Sequence, residues 1–208
     1  MKTPGVYIVE KSAFPNSVVE APTAIPAFIG ITEKAVNGAD TLSGKPWKIT
    51  SMTEFQQYFG GAPAPEFRLS VVDYPEKDAS KTFYGIPSPD KSKLLRVEAP
   101  EVTFSLYYQM VMFFANGGGT CYIVSAGTYD QKSLIDKEKV VAALTALKKE
   151  QEITMVLVPE AVSVDECKDI QTQVLAHCGE MMNRFAILDV QPKAKENEVM
   201  SEQIEIFR

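Results

Sequence analysis

The sequence predicts an α/β fold: a mostly parallel βαβαβ sheet covered by helices, with an N-terminal β-strand arm and a loop-rich insertion. Three observations predict it. Residues 120–126, 153–158 and 185–190 are continuous apolar runs, the pattern of strands buried on both faces of a parallel sheet. Helical spacing fills the gaps between them, so strands and helices alternate and right-handed crossovers follow. Six of the thirteen prolines fall within residues 61–100, a stretch of little periodicity that reads as loops and short strands.

The chain opens on Val6-Tyr7-Ile8-Val9, a strand-like run after Pro4-Gly5 and before a polar stretch with Pro15 and Asn16. Residues 1–22 are therefore expected to be an arm with one strand and loose tethers. Residues 26–31 read as a second strand, 37–46 as a turn-rich connection, and Trp47-Lys48-Ile49 as a third strand. Ser51-Met52-Thr53-Glu54 has capping-box spacing, with Glu54 reaching back to the Ser51 amide. Phe55, Tyr58 and Phe59 then give one face of a helix over 52–59 that Gly60 ends. On this reading residues 23–60 are the first part of the core, 61–100 an insertion, and 101–208 the α/β core domain.

Residues 102–115 form a helix apolar nearly all round, expected to be central, and Asn116-Gly117 ends it. Over 137–149, Val140, Val141, Leu144 and Leu147 share a face while Lys139, Lys148 and Lys149 point away. Over 165–182, Cys167, Ile170, Val174, Cys178 and Met181 form an apolar stripe, which leaves His177 on the outer face beside Gln173, Glu180 and Asp169. Residues 193–198 are polar, and 201–208 have the pattern of a beginning helix or strand.

A chain of 208 residues, 45% hydrophobic and 23% charged, supports one main globular core and excludes a disordered or coiled-coil class. Its formal net charge of -6 disfavours nucleic acid as a partner. The longest apolar helix is shorter than the roughly 20 residues that cross a bilayer, so no membrane anchoring is indicated. Three widely spaced cysteines do not make a disulfide framework. Cys167 and Cys178 would lie roughly 16 Å apart along one helix, beyond the ~7 Å reach of a disulfide.

Candidate chemistry is sparse. Gly117-Gly118-Gly119 follows a helix and precedes a strand, the reverse of the order that aims amides at phosphate, and reads as a helix-ending turn. In an open parallel sheet, ligands sit beyond the carboxyl ends of strands, here Ser125 to Gly127, Glu160 and Asp189. Glu160 and Asp189 could hold magnesium between them, although carboxylates there more often meet water or cap a helix. One histidine, no close cysteine pair and no Gly-x-Ser-x-Gly elbow give neither a zinc site nor a nucleophilic triad. No catalytic, metal or cofactor residue is assigned; the alternative reading is a nucleotide- or metal-binding enzyme using those strand ends.

Residues 3–10 (Thr-Pro-Gly-Val-Tyr-Ile-Val-Glu) and 24–32 (Ala-Ile-Pro-Ala-Phe-Ile-Gly-Ile-Thr) resemble the opening of phage tail sheath proteins and the sheaths of contractile injection systems. Ile49-Thr50-Ser51, Glu54-Phe55 and Phe59-Gly60-Gly61 resemble that family's strand-to-helix segment. Phe113-Phe114-Ala115-Asn116-Gly117-Gly118 followed by Cys121-Tyr122-Ile123-Val124 resembles its Phe-Phe-x-Asn-Gly-Gly signature and strand. The segments keep their order from Thr3 to about residue 190, with 61–100 unmatched.

The resemblance implies a structural subunit, not an enzyme, that polymerises helically with its own copies around an inner tube protein and contracts. Baseplate and tail terminator proteins are the further partners it implies, the bacterial cytoplasm the place of assembly, and a virion tail or injection device the destination. Pro4, Gly5, Val6, Tyr7, Ile8 and Val9 would be the strand passed to a neighbouring subunit, with Val6 and Ile8 on one face and Tyr7 and Val9 on the other. Members of the family continue into a C-terminal region that nothing here matches, so the chain is expected to be the N-terminal portion of a sheath protein.

Overall fold

A computed structural model of the chain describes residues 23–64, 67–73, 85–90, 92–98, 104–129 and 135–191. The first described strand, β1 (Pro26–Thr32), is buried along its whole length. A two-residue hairpin, β2 (Val36–Asn37) with β3 (Asp40–Thr41), fills the turn-rich connection and leads to β4 (Trp47–Ile49).

Helix α1 (Met52–Phe59) starts at Ser51, whose Oγ accepts the Glu54 amide at 3.3 Å. The return half of the expected capping box differs: Glu54 Oε2 takes the Thr50 amide at 2.6 Å, not that of Ser51. Phe55 and Phe59 are buried side by side, each stabilising the fold by about 1.5–3 kcal/mol.

Three strands follow inside residues 61–100: β5 (Arg68–Asp73), β6 (Gly85–Pro87) and β7 (Lys93–Glu98). They pair antiparallel in the order β5, β7, β6, so the stretch holds an ordered small sheet with two six-residue strands. Leu69 and Val71 alternate with Ser70 and are largely exposed, a period-2 pattern that the prolines around it obscured.

Helix α2 (Leu106–Ala115) leads into β8 (Cys121–Thr128), followed by α3 (Lys137–Leu147) and β9 (Met155–Leu157). A 3-10 turn (Pro159–Ser163), α4 (Cys167–Met181) and β10 (Phe185–Ile187) complete the described chain. The main sheet has the order β10, β9, β1, β8, β4. Its first four strands are parallel and only β4 runs antiparallel, against β8. The mixed, mainly parallel α/β architecture thus agrees with the sequence reading, with β1 wedged between β8 and β9 as its central strand.

Alternation along β1 builds two cores. Ala27, Ile29 and Ile31 meet Val140, Leu144 and Leu147 of α3 and Ile170 and Val174 of α4. On the other face Phe28 meets Phe55, Phe59, Leu106 and Met110 from α1 and α2.

Several expectations need correction. Helix α2 is not central: it buries Leu106 and Met110, while Tyr108 and Met112 are 49% and 62% exposed, because only one of its sides meets the sheet. Val141 is exposed on α3, and Ala143 takes its expected place in the core. Strand β10 is an edge rather than a buried strand, with Phe185 57% and Ile187 43% exposed. Among the described residues no helix is long and apolar enough to cross a membrane.

Candidate functional site at the strand ends

Strand β9 pairs with β1 only as far as Phe28. Beyond it the turn after β9 delivers Glu160, which is fully buried and whose Oε2 accepts the Ile31 amide at 2.8 Å. Its other oxygen, Oε1, accepts the amides of Ser105 at 3.0 Å and Leu106 at 3.2 Å. These are orphan donors at the start of α2, where Ser105 provides no side-chain cap. One carboxylate therefore joins β1, the turn after β9 and the first turn of α2. Gly30 makes room for the junction: a Cβ there would sit 3.0 Å from the Leu106 side chain and 3.1 Å from Glu160 Oε2.

Burial pushes the Glu160 carboxyl up to about 7, against the pull of the three amides, which favour the charged form. Both oxygens are committed to the backbone, so this acid caps a helix, though not the next one in sequence. Asp189 is exposed, and its carbonyl accepts Gln171 Nε2 at 2.7 Å. No hydrogen bond links it to Glu160, and among the described residues no cluster of three or more acidic, histidine or cysteine side chains could hold a metal.

Ser125 lies at a break in the β1 to β8 register, where Gly30 pairs with Ser125 and Ile31 with Gly127. Its buried Oγ lies 2.6 Å from Thr32 Oγ1, and Thr32 donates in turn to the Lys34 carbonyl at 2.7 Å. Ser125 Oγ also lies within hydrogen-bond distance of the Gly127 carbonyl, at 3.1 Å, so the two hydroxyl protons are shared among three contacts. Gly44 donates to the Ser125 carbonyl at 2.9 Å, tying the hairpin to the sheet. Glu160 and Ser125 are thus engaged in joining elements, while the Asp189 side chain is exposed.

His177 is corrected from surface to interior: it is 4% exposed. Helical spacing placed it off the α4 stripe, but α3 and the start of β10 close over that side as well. Its Nε2 lies 3.4 Å from a guanidinium nitrogen of Arg184, itself buried. Arg184 donates to the carbonyls of Leu147 at 3.1 Å and Glu150 at 2.8 Å, capping the end of α3. Burial first, then the positive charges of Arg184 and Lys148, hold the His177 pKa below its ordinary value. Neutral Nε2 accepts from Arg184, which leaves Nδ1 to carry the proton; it is the one buried side-chain polar atom lacking a partner among the described residues. Arg184 and Gln171 were missed in the sequence because nothing local marks a lone polar residue for burial.

The signature at the end of α2 is a helix stop. The Gly118 amide donates to the Phe113 carbonyl at 2.9 Å and that of Gly117 to Phe114 at 3.1 Å, the paired bonds of a Schellman ending. Gly117 has φ +83°. A Cβ on Gly118 would approach the Phe113 ring and carbonyl to 2.6 Å. Asn116 bonds back to the Met112 carbonyl through Nδ2 at 2.7 Å. Phe113 meets Phe28 of β1 edge to face at 5.4 Å, and Phe114 packs against Phe113 at 5.2 Å. Gly117 and Gly118 are thus explained by the helix stop. The strand-arm residues Pro4, Gly5, Val6, Tyr7, Ile8 and Val9 lie outside the described residues.

No protein-family model matches the chain, and no curated protein matches it. Among solved structures, the chain is similar to the helical sheath of the anti-feeding prophage in its contracted state, seen by cryo-electron microscopy, with 19% identity and a TM-score of 0.49. The match covers 94% of this chain and 42% of that one, so this chain spans less than half the length of that neighbour.

Proposed function

We propose that the chain is a non-enzymatic subunit of a contractile tail sheath, polymerising with its own copies around an inner tube. The observation that carries the reading is how the signature segments meet. Residues 24–32 supply the central strand, and residues 113–124 supply the helix stop and the adjacent strand, with Phe113 against Phe28. Segments far apart in the chain and similar in order to one family form a single packing unit.

In this reading the folded core is a rigid body and residues 4–9 link it to a neighbour as an added strand, held by main-chain hydrogen bonds. The links would hold while subunits slide during contraction. Inner tube, baseplate and tail terminator proteins are its proposed partners, the bacterial cytoplasm its place of assembly, and a virion tail or injection device its destination. The test is immunogold labelling of this chain on particles purified from producing cells. Label spaced along the full length of a tail supports the reading; label confined to one end, or absent from tails, rejects it.

A further inference from the structure

We infer that the outward face of the small sheet β5, β7, β6 on one copy of this chain seats the outward side of α2 on another copy. Register sets Val71 beside Leu95, and Leu95 beside Ile86, so these three share a face with Leu69, two positions before Val71. Leu69, Val71 and Ile86 are 66%, 64% and 68% exposed. Leu94, which alternation turns to the other side, is buried, so the apolar face is the one turned outward. Val71, Ile86 and Leu95 line an open trough of about 330 Å3 together with Pro87, Ser88 and Lys93. On α2, Tyr108, Val111, Met112 and Ala115 fall on one side by helical spacing, and all four are exposed. They lie opposite the side that buries Leu106 and Met110.

Charge and shape select the occupant. No Asp, Glu, Lys or Arg occurs in α2, and the two charged positions at the end of the sheet face, Asp73 and Lys93, stand opposite each other in register. Neither patch therefore selects a charged partner, nor an anionic lipid surface, which needs clustered Lys and Arg. A sheet face with a trough and a convex, uncharged helix are the two halves of one helix-on-sheet layer, and every copy carries both. Helix α2, with 10 residues, is about 15 Å long, comparable to a face of three strands set about 5 Å apart. Met112 is the most exposed large side chain of α2, and an unbranched thioether fills an irregular trough readily. Because the two halves differ, the contact is head to tail and repeats from copy to copy. Each patch offers a few hundred Å2, less than the roughly 800 Å2 per partner of a stable pair, so a single contact is weak and gains by repetition. The inference deepens the sheath reading by naming surfaces through which copies meet, and its test is read in solution, apart from tails.

Sedimentation of the purified full chain from about 1 μM to about 1 mM tests it. The expected mean mass of the wild type rises with concentration past that of a dimer. Val71→Asp and Met112→Asp should each weaken this self-association by about tenfold or more. A mixture of the two should nevertheless form a pair that grows no further, since Val71→Asp keeps an intact α2 and Met112→Asp an intact sheet face. Leu69→Lys and Val111→Lys replace either variant whose circular dichroism departs from that of the wild type. A wild type that stays monomeric throughout overturns the inference, while the sheath reading is decided separately by label on tails. A Met112→Asp chain that associates like the wild type also overturns it, since sheet faces would then meet each other. So does a mixture no better associated than its parts.

Discussion

Replacing Glu160 with Gln probes the junction of β1, α2 and the turn after β9. The carbonyl oxygen of Gln can still receive the Ser105 and Leu106 amides, but its NH2 group would face the Ile31 amide, donor against donor. One buried amide loses its acceptor, a cost of about 1–3 kcal/mol. Wild-type stability at this site also varies with pH. The folded carboxyl titrates at about 7 and the ordinary one at 4.5, so between these values the folded state holds a proton that the unfolded state has lost. Stability from this group is therefore greatest in acid and falls as pH rises through the window, by about 3 kcal/mol at completion. Gln does not titrate. Urea unfolding should show the variant about 1–3 kcal/mol less stable near pH 5 and gaining on the wild type by about 2.5 kcal/mol on going to about pH 8, so that the difference vanishes or reverses, a change equivalent to roughly 5–10 °C in Tm. A gap independent of pH would refute the reasoning, because the carboxyl would then not be the titrating, desolvated group.

His177 has the opposite sign. Its folded pKa is depressed, so the unfolded state binds the extra proton, and stability falls as pH drops below the ordinary value of about 6.5. His177→Phe should flatten that acid limb in urea titrations; an unchanged limb would clear His177 of the role. Gly118→Ala forces a Cβ into Phe113 and should destabilise by about 1–3 kcal/mol, read as a lower Tm, whereas Gly119→Ala, with open space around it, should be near neutral. Arg184→Met removes the buried donors at the end of α3 and should cost about 2–4 kcal/mol in urea unfolding; a loss below about 1 kcal/mol would show water replacing them.

Local signals carried well from sequence to structure. Ser51 and Gly60 bound α1, and Asn116 with Gly117 ends α2, because caps and glycine turns are set by a few adjacent residues. The continuous apolar runs found β1, β8 and β9. What the sequence could not order was the sheet, since pairing β1 between β8 and β9 joins residues about a hundred positions apart. Helical spacing orients a side chain toward one partner only. It therefore misplaced His177, which is enclosed from a second side, and it overrated α2, whose apolar Tyr108 and Met112 face outward. Glu160 was legible as a strand-end carboxylate, but its partners Ile31, Ser105 and Leu106 come from distant segments, so its capping role was not.

Deleting Met1 to Glu10 tests the sheath account most directly. In producing cells the shortened chain should be absent from assembled tails, while its urea unfolding midpoint matches that of the intact chain. Normal tails built from the shortened chain would contradict subunit linkage through the strand at residues 4–9.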